Sequence, residues 1–328
     1  MMAKSDNQKL KLLYLRQMLE QQSDESHPLG TQEIIDALAA RGIRAERKSI
    51  YSDIACLQDF GMDICVRRGP NGGYYLATRT FELPELKLLV DAVQSSRFIT
   101  TKKSNELIKK LSSLASGYEA TQMRRQVYVA NRIKTHNESI YYNIDALHSA
   151  ILRSSRITFQ YFDWTPDKTR ALRHDGHLYD VSPWALTWDD ENYYLIAYDS
   201  AVGDIRHYRV DKMLRITATG QPRDGRDKFR DFDMAVYSSR TFGMFGGQLE
   251  CVVLDCADEL AGVIIDRFGQ DVTIVRREGH FETTVNVMVS PMFLSWVISF
   301  GGRMKILSPG TVKNAMAELC GSTMAALN

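Results

Sequence analysis

The stretch Arg47-Lys48-Ser49-Ile50-Tyr51-Ser52-Asp53-Ile54-Ala55-Cys56-Leu57 is followed, beyond Gly61, by Ile64-Cys65-Val66-Arg67-Arg68-Gly69-Pro70-Asn71-Gly72-Gly73-Tyr74-Tyr75-Leu76. Ile50, Ile54 and Leu57 recur at helical spacing, so a helix from about Glu46 to Phe60 carries a single apolar stripe and stops at Gly61. Two short apolar runs then flank a basic tip rich in Gly, Pro and Asn, the pattern of a β-hairpin. Working backwards, a helix from about Gln8 to Gln21 presents Leu12, Leu15 and Leu19 on one face. A second opens at Thr31, read as its N-cap, runs through Ile34 and Leu38, and stops at Gly42. Three helices and a basic hairpin predict a winged helix-turn-helix over residues 1–80.

On the third helix Lys48 and Ser52 point away from the apolar stripe, with Ser49 and Tyr51 on its flanks and Arg41, Arg44 and Arg47 nearby. Arg44, Arg47, Lys48, Ser49, Tyr51 and Ser52 are therefore free to meet base edges or phosphates of a double-stranded DNA operator. Arg67 and Arg68 would lie against the sugar-phosphate backbone. Formal net charge is only +1 over 328 residues, so such binding must come from placement rather than bulk charge.

Residues 81–139 read as a helical linker or dimerisation layer. Leu86, Leu89, Val90 and Val93 share one face and Leu107, Ile108, Leu111 and Leu114 another, with polar Ser95 to Ser104 between them. A homodimer is the expectation, because helix-turn-helix proteins usually read two half-sites as symmetric pairs.

Residues 140–222 begin with a helix through Ile144, Leu147 and Ile151. Short strands follow at Arg156–Tyr161, Leu178–Val181, Ala185–Trp188, Tyr193–Tyr198 and Ile205–Val210, which suggests a small, strongly bent barrel. After the polar stretch Gln221 to Asp233, residues 223–328 show the order β-α-β-β-α-β plus a final helix, the ferredoxin-like order.

Two groups of motifs resemble a known family. Ile50-Tyr51-Ser52-Asp53-Ile54 and the Gly69-Pro70-Asn71-Gly72-Gly73-Tyr74 wing look like the winged helix of WYL-domain transcription regulators. Tyr179-Asp180-Val181-Ser182-Pro183-Trp184, Tyr193-Tyr194-Leu195-Ile196-Ala197-Tyr198 and Ile205-Arg206-His207-Tyr208-Arg209-Val210-Asp211-Lys212-Met213 look like consecutive blocks of the WYL domain. Tyr193-Tyr194-Leu195 stands for the name-giving Trp-Tyr-Leu, and Lys212 stands where many relatives have Arg. The Trp296 to Pro309 run looks like the C-terminal extension of such proteins.

The resemblance implies a multidomain α+β chain with an Sm-like β-barrel whose basic and aromatic groove takes a regulatory ligand. An anionic effector, single-stranded nucleic acid or a nucleotide, suits guanidinium groups set among aromatics. Strand alternation puts Arg206 and Tyr208 on one face and His207 and Arg209 on the other. His207 and Arg209, with Ser182 and Tyr194, are the favoured ligand residues; Lys212 and, in second place, Arg206 complete the set, and Tyr193 is expected in the core. The crowding of cations into 206–212 is itself a reason to expect an anionic partner. A barrel that binds RNA or single-stranded DNA without acting in transcription is the alternative reading.

An enzyme is not expected. His174 and His177 bracket Asp175-Gly176, a turn signature rather than a metal pair, and no HExxH, phosphate-binding Gly-Lys-Ser/Thr loop or Gly-x-Ser-x-Gly elbow occurs. No catalytic residue, metal or cofactor is anticipated. Five scattered cysteines, a polar Met1 to Gln8 and the lack of a long apolar run point to a cytoplasmic protein with no membrane segment. Cys251 and Cys256 read as two core residues of one strand.

Overall fold

The chain folds as two units, Met1–His136, mostly helical with one hairpin, and Asn137–Asn328, built on two sheets with helices against them. The computed structural model describes residues 6–123, 134, 137–230 and 233–327. Residues 1–5 of the polar N-terminal segment lie outside the described residues, as do parts of the predicted linker and of the polar stretch before the C-terminal elements.

The first unit opens with α1 (Asp6–Gln22), α2 (Thr31–Ala39) and α3 (Arg47–Asp59), followed by the antiparallel hairpin β1 (Ile64–Arg67) and β2 (Gly73–Leu76). Leu15 and Leu19 of α1, Ile34 and Leu38 of α2, and Ile50, Ile54 and Leu57 of α3 close on one core with Ile64 and Leu76 of the hairpin. The stripe read from the sequence is thus the buried face of α3. The cap of α2 is Gly30 rather than Thr31, and the Glu33 carboxylate accepts from the Gly30 N–H at 2.7 Å. Leu29 and Tyr74 exchange backbone hydrogen bonds of 2.8 and 2.9 Å, so the segment before α2 pairs with the hairpin. Gly73 must be glycine there, since a Cβ would sit 2.3 Å from the Leu29 carbonyl oxygen.

Next come α4 (Leu83–Ser95), α5 (Thr101–Ser112) and α6 (Gly117–Met123). Leu86 and Val90 are buried with Ala115 and Met123, whereas Leu89 and Leu114 are exposed; the last four residues of the expected polar stretch belong to the start of α5, capped by the Thr100 hydroxyl.

The second unit begins with α7 (Ile140–Leu152) and the strands β3 (Ser155–Trp164), β4 (Arg170–Leu172), β5 (Tyr179–Asp189), β6 (Asn192–Asp199), β7 (Asp204–Arg209) and β8 (Met213–Pro222). Pairing runs β4-β3-β5-β6-β7, with β8 on β3. The sheet curls into a half-barrel, and no ladder joins β7 to β8 among the described residues. The strongly bent barrel expected from the strand pattern is thus present as a curled, open half-barrel. A 3-10 turn over Val210–Lys212 links the two strands. The carbonyls of Val210 and Met213 accept from the Asn143 amide of α7. Phe159 fills the curl, 5.3 Å from the Tyr179 ring and 5.1 Å from that of Tyr208.

After α8 (Met234–Arg240), the chain forms β9 (Gln248–Ala257), α9 (Ala261–Phe268), β10 (Ile274–Arg276), β11 (His280–Val289), α10 (Pro291–Ser299), β12 (Met304–Ser308) and α11 (Gly310–Ala325). The sheet order is β10-β11-β9-β12, every pair antiparallel. Val252, Leu254 and Cys256 of β9 face the core with Phe281, Val285 and Phe293. Cys251 is exposed, which corrects its reading as a core residue: two positions five apart on a strand point to opposite faces. Among the described residues no helix is long and apolar enough to cross a membrane.

Candidate functional site

With its apolar stripe buried, α3 turns Arg47, Lys48, Tyr51 and Ser52 to solvent, and Arg44 is exposed just before the helix. Arg44, Arg47, Lys48 and Ser52 have no side-chain hydrogen bond or ion pair with other described residues. Ser49 is different. Its hydroxyl accepts from Lys11 Nζ at 3.2 Å and from the Glu46 backbone N–H at 3.4 Å, so it holds the start of α3 in place. Lys11 is itself buried and lies 2.6 Å from the Asp53 carboxylate. Sequence reading missed this clamp, because the partners are far apart in the chain. Arg41 is drawn away from the exposed group: it donates to the Ala37 carbonyl at 2.8 Å and lies over the Tyr14 ring. At the hairpin tip Arg67 donates to the Glu25 carbonyl at 3.2 Å, while Arg68 is exposed and without a partner among the described residues.

The second set of predicted residues lies on the half-barrel. Tyr194 of β6 is in register with Arg209 of β7. Arg209 Nε and Nη2 donate to the two Asp211 carboxylate oxygens at 3.0 and 2.8 Å, and Nη2 also to Asn192 Oδ1 at 2.8 Å. The Arg209 backbone N–H donates to the Tyr161 hydroxyl at 3.1 Å; burial pushes that phenol up to about 12. Lys212 Nζ reaches Asp163 at 2.9 Å, and Arg173 donates to the other oxygen of the same carboxylate while lying over the Tyr161 ring. The two hydrogen bonds, that from Arg173 foremost, hold Asp163 below the usual carboxylate range. Arg173 was not predicted. Its signal was a basic residue at the turn before Asp175-Gly176.

These contacts correct the picture of a set of unpaired cations. Two carboxylates, Asp163 and Asp211, offset three cations, Arg173, Arg209 and Lys212, leaving a surplus of one. Ser182 is fully buried and its hydroxyl accepts from the Asp224 N–H at 2.8 Å, which places it inside the sheet rather than on a groove. Arg206 is exposed on β7. Tyr193 is half-buried, edge-on to Trp188 at 4.9 Å, and so is not the core residue expected.

His207 is also spoken for by the chain. Its Nδ1 lies 2.7 Å from the Met244 carbonyl and must donate, so in the neutral ring Nε2 accepts from the Tyr237 hydroxyl at 2.8 Å. Burial lowers its pKa, the Met244 hydrogen bond opposes that, and the Arg206 charge adds to it. A folded pKa below the ordinary 6.5 means that the unfolded chain binds the proton first. The stability this ring contributes is therefore complete above that value and is lost as pH falls below it. Melting temperature should drop between about pH 7 and pH 5, and the drop should be smaller in His207→Asn; equal pH slopes in the two proteins would refute the assignment.

Residues 142–218 match the WYL domain and residues 249–323 match the WCX domain. No curated protein matches the chain. Among solved structures it is similar to proteasome accessory factor B/C (PafBC) of Arthrobacter aurescens, at 16% identity over 97% of this chain and 49% of that one, with a TM-score of 0.30. It thus spans about half the length of that protein. A CRISPR Cas-related protein is similar at 13% identity over 75% of this chain and 71% of that one, with a TM-score of 0.36.

Proposed function

We propose that this chain is a transcription regulator whose first unit binds duplex DNA as a winged helix-turn-helix and whose WYL domain takes an anionic effector, single-stranded nucleic acid or a nucleotide. The observation that carries the reading is the division of α3: its apolar stripe is buried, and its opposite face offers Arg47, Lys48, Tyr51 and Ser52. A helix so divided, followed by a hairpin with an arginine at its tip, suits a major-groove reader with a backbone-contacting wing. Arg209 beside Tyr194, with Arg173 and Lys212 sharing one carboxylate, supports the effector half. The ferredoxin-like reading of the WCX domain fits its strand order, and exposed Leu88, Leu89 and Leu114 fit a homodimer. Catalysis and a cofactor have no part in this reading, and the cytoplasm is its natural setting.

Footprinting on the DNA flanking the protein's own gene, with and without added oligonucleotides, tests it. Two protected half-sites about one or two helical turns apart are expected, with protection altered by the effector. No protection anywhere would sink the DNA-binding reading. The wing gives a sharper measure. Arg68→Ala should flatten the dependence of log affinity on log salt by about 0.9, and adding Arg67→Ala should change it less, because Arg67 is tied to Glu25. An unchanged slope in the double variant would remove the wing from the interface.

A further inference from the structure

Beyond the residues considered so far, the second unit holds a cleft of about 650 Å³ lined by Ser154, Trp184, Pro222, Arg223, Arg226, Phe229 and Arg230. Among the described residues no carboxylate lines it. Two acidic residues of the same segment are engaged: Asp224 pairs with Arg156 at 3.1 Å and accepts from the Ser200 hydroxyl, and Asp227 pairs with Arg230 at 2.9 Å on the exposed side. Arg223 has no carboxylate partner among the described residues. It donates to the Pro183 carbonyl at 3.4 Å and lies 3.7 Å from the centroid of the Trp184 ring, and burial lowers its pKa. Arg226 is exposed and has no ion pair among the described residues.

The wall of the cleft is built rather than incidental. Trp184 and Phe229 stack at 4.6 Å with an interplanar angle of 7°, and the indole N–H donates to the Asp224 carbonyl at 2.8 Å. The 3-10 turn Arg226–Phe229 is launched by Gly225 at φ +83, where a Cβ would meet Tyr198 Cγ at 2.4 Å. Only glycine satisfies both that angle and that space, so the turn is pressed onto the sheet and the backbone of Arg226 is placed at the cleft.

We propose that this cleft is an additional anion site that takes a phosphate-bearing ligand, held by Arg223, Arg226 and Arg230 against the Trp184–Phe229 wall. Guanidinium forks match phosphate oxygens in pairs, and a cleft lined by three arginines favours a multiply charged ligand. The ligand is recognised through its phosphates and not by insertion of a base, because Trp184 and Phe229 already close on each other. The phosphates can belong to a small molecule or to a nucleic-acid backbone. The site shares no residue with that around Arg209, and it does not depend on the regulator reading.

The test titrates inorganic pyrophosphate and a short single-stranded oligodeoxythymidylate separately into the full chain by calorimetry. Arg226→Gln and Arg230→Gln should each weaken binding by roughly tenfold, the scale of a lost hydrogen bond to a charged group. Arg277→Gln, which removes a positive charge elsewhere on the unit, should not. Both replaced arginines are exposed, so an unchanged melting temperature is the check that the variants fold. Arginine-dependent binding of pyrophosphate assigns the site to small phosphates, and of the oligonucleotide alone to a polymer backbone; either supports the proposal. Binding of neither probe, or affinities that ignore both substitutions, would overturn it.

Discussion

Replacing Lys11 with alanine should destabilise the first unit by about 3 kcal/mol, the lower end of the cost of breaking a buried ion pair. The Lys11 ammonium lies 2.6 Å from Asp53 and 3.2 Å from the Ser49 hydroxyl, with only 7% of the lysine side chain and 15% of the aspartate exposed. Removing the lysine leaves a largely buried carboxylate without its counter-charge and Ser49 with only the 3.4 Å Glu46 N–H as donor. Both belong to α3, so the helix that presents Arg47, Lys48 and Tyr51 loses its polar tie to α1 and keeps only the packing of the shared core, and DNA affinity should fall with stability. Tryptophan fluorescence cannot report this, because Trp164, Trp184, Trp188 and Trp296 all lie in the second unit. Hydrogen exchange of α1 and α3 peptides can. Faster exchange confined to the first unit is the expected outcome, and wild-type protection would refute it. Lys11→Met combined with Asp53→Leu should recover much of the loss, since apolar side chains can replace a buried pair at little net cost.

What could be read from the sequence follows from how far apart the interacting residues are. The stripe Ile50/Ile54/Leu57, the hairpin around Gly69 to Gly73 and the alternation of β11 depend on neighbours in the chain, and the structure has them at those places. Strand β8 escaped because it is exposed over most of its length and so carries little apolar alternation. The short β4 has three exposed residues and no pattern at all. At the candidate site, residue type was legible and pairing was not. Arg209 and Lys212 stood out as cations, but Lys212 finds Asp163 from 49 residues away. His207 is bound by Tyr237 and Met244, 30 and 37 residues further along the chain. The phosphate cleft was hidden for the same reason: Arg223, Arg226 and Arg230 sit in a polar segment, and only the fold brings Trp184 to it.

Arg209→Ala should abolish the response of DNA binding to the effector while leaving effector-free DNA binding intact. Of the five guanidinium N–H donors, those on Nε and Nη2 are engaged by Asp211 and Asn192, which fixes the plane of the group. The Nη1 pair has no partner among the described residues and is left to meet an anion, with the half-buried Tyr194 in register beside it. Because the fork is already oriented, little side-chain entropy is lost when a ligand binds. The backbone N–H that meets the Tyr161 hydroxyl survives the substitution, so the end of β7 should keep its course. An effector acts only through its differential affinity for the two DNA-binding states, a coupling commonly worth about 1–3 kcal/mol, or roughly five- to 150-fold in affinity. That factor should collapse toward one in Arg209→Ala. Arg209→Lys should lower it less, since a lysine keeps the charge and loses the paired geometry. Gel-shift titrations of wild type and both variants, with and without single-stranded DNA and nucleotides, measure it. A full response in Arg209→Ala to a ligand that moves the wild type would place the effector elsewhere. If that response is lost instead in Arg226→Gln, the cleft beside Trp184 is the sensor and the face around Arg209 is structural.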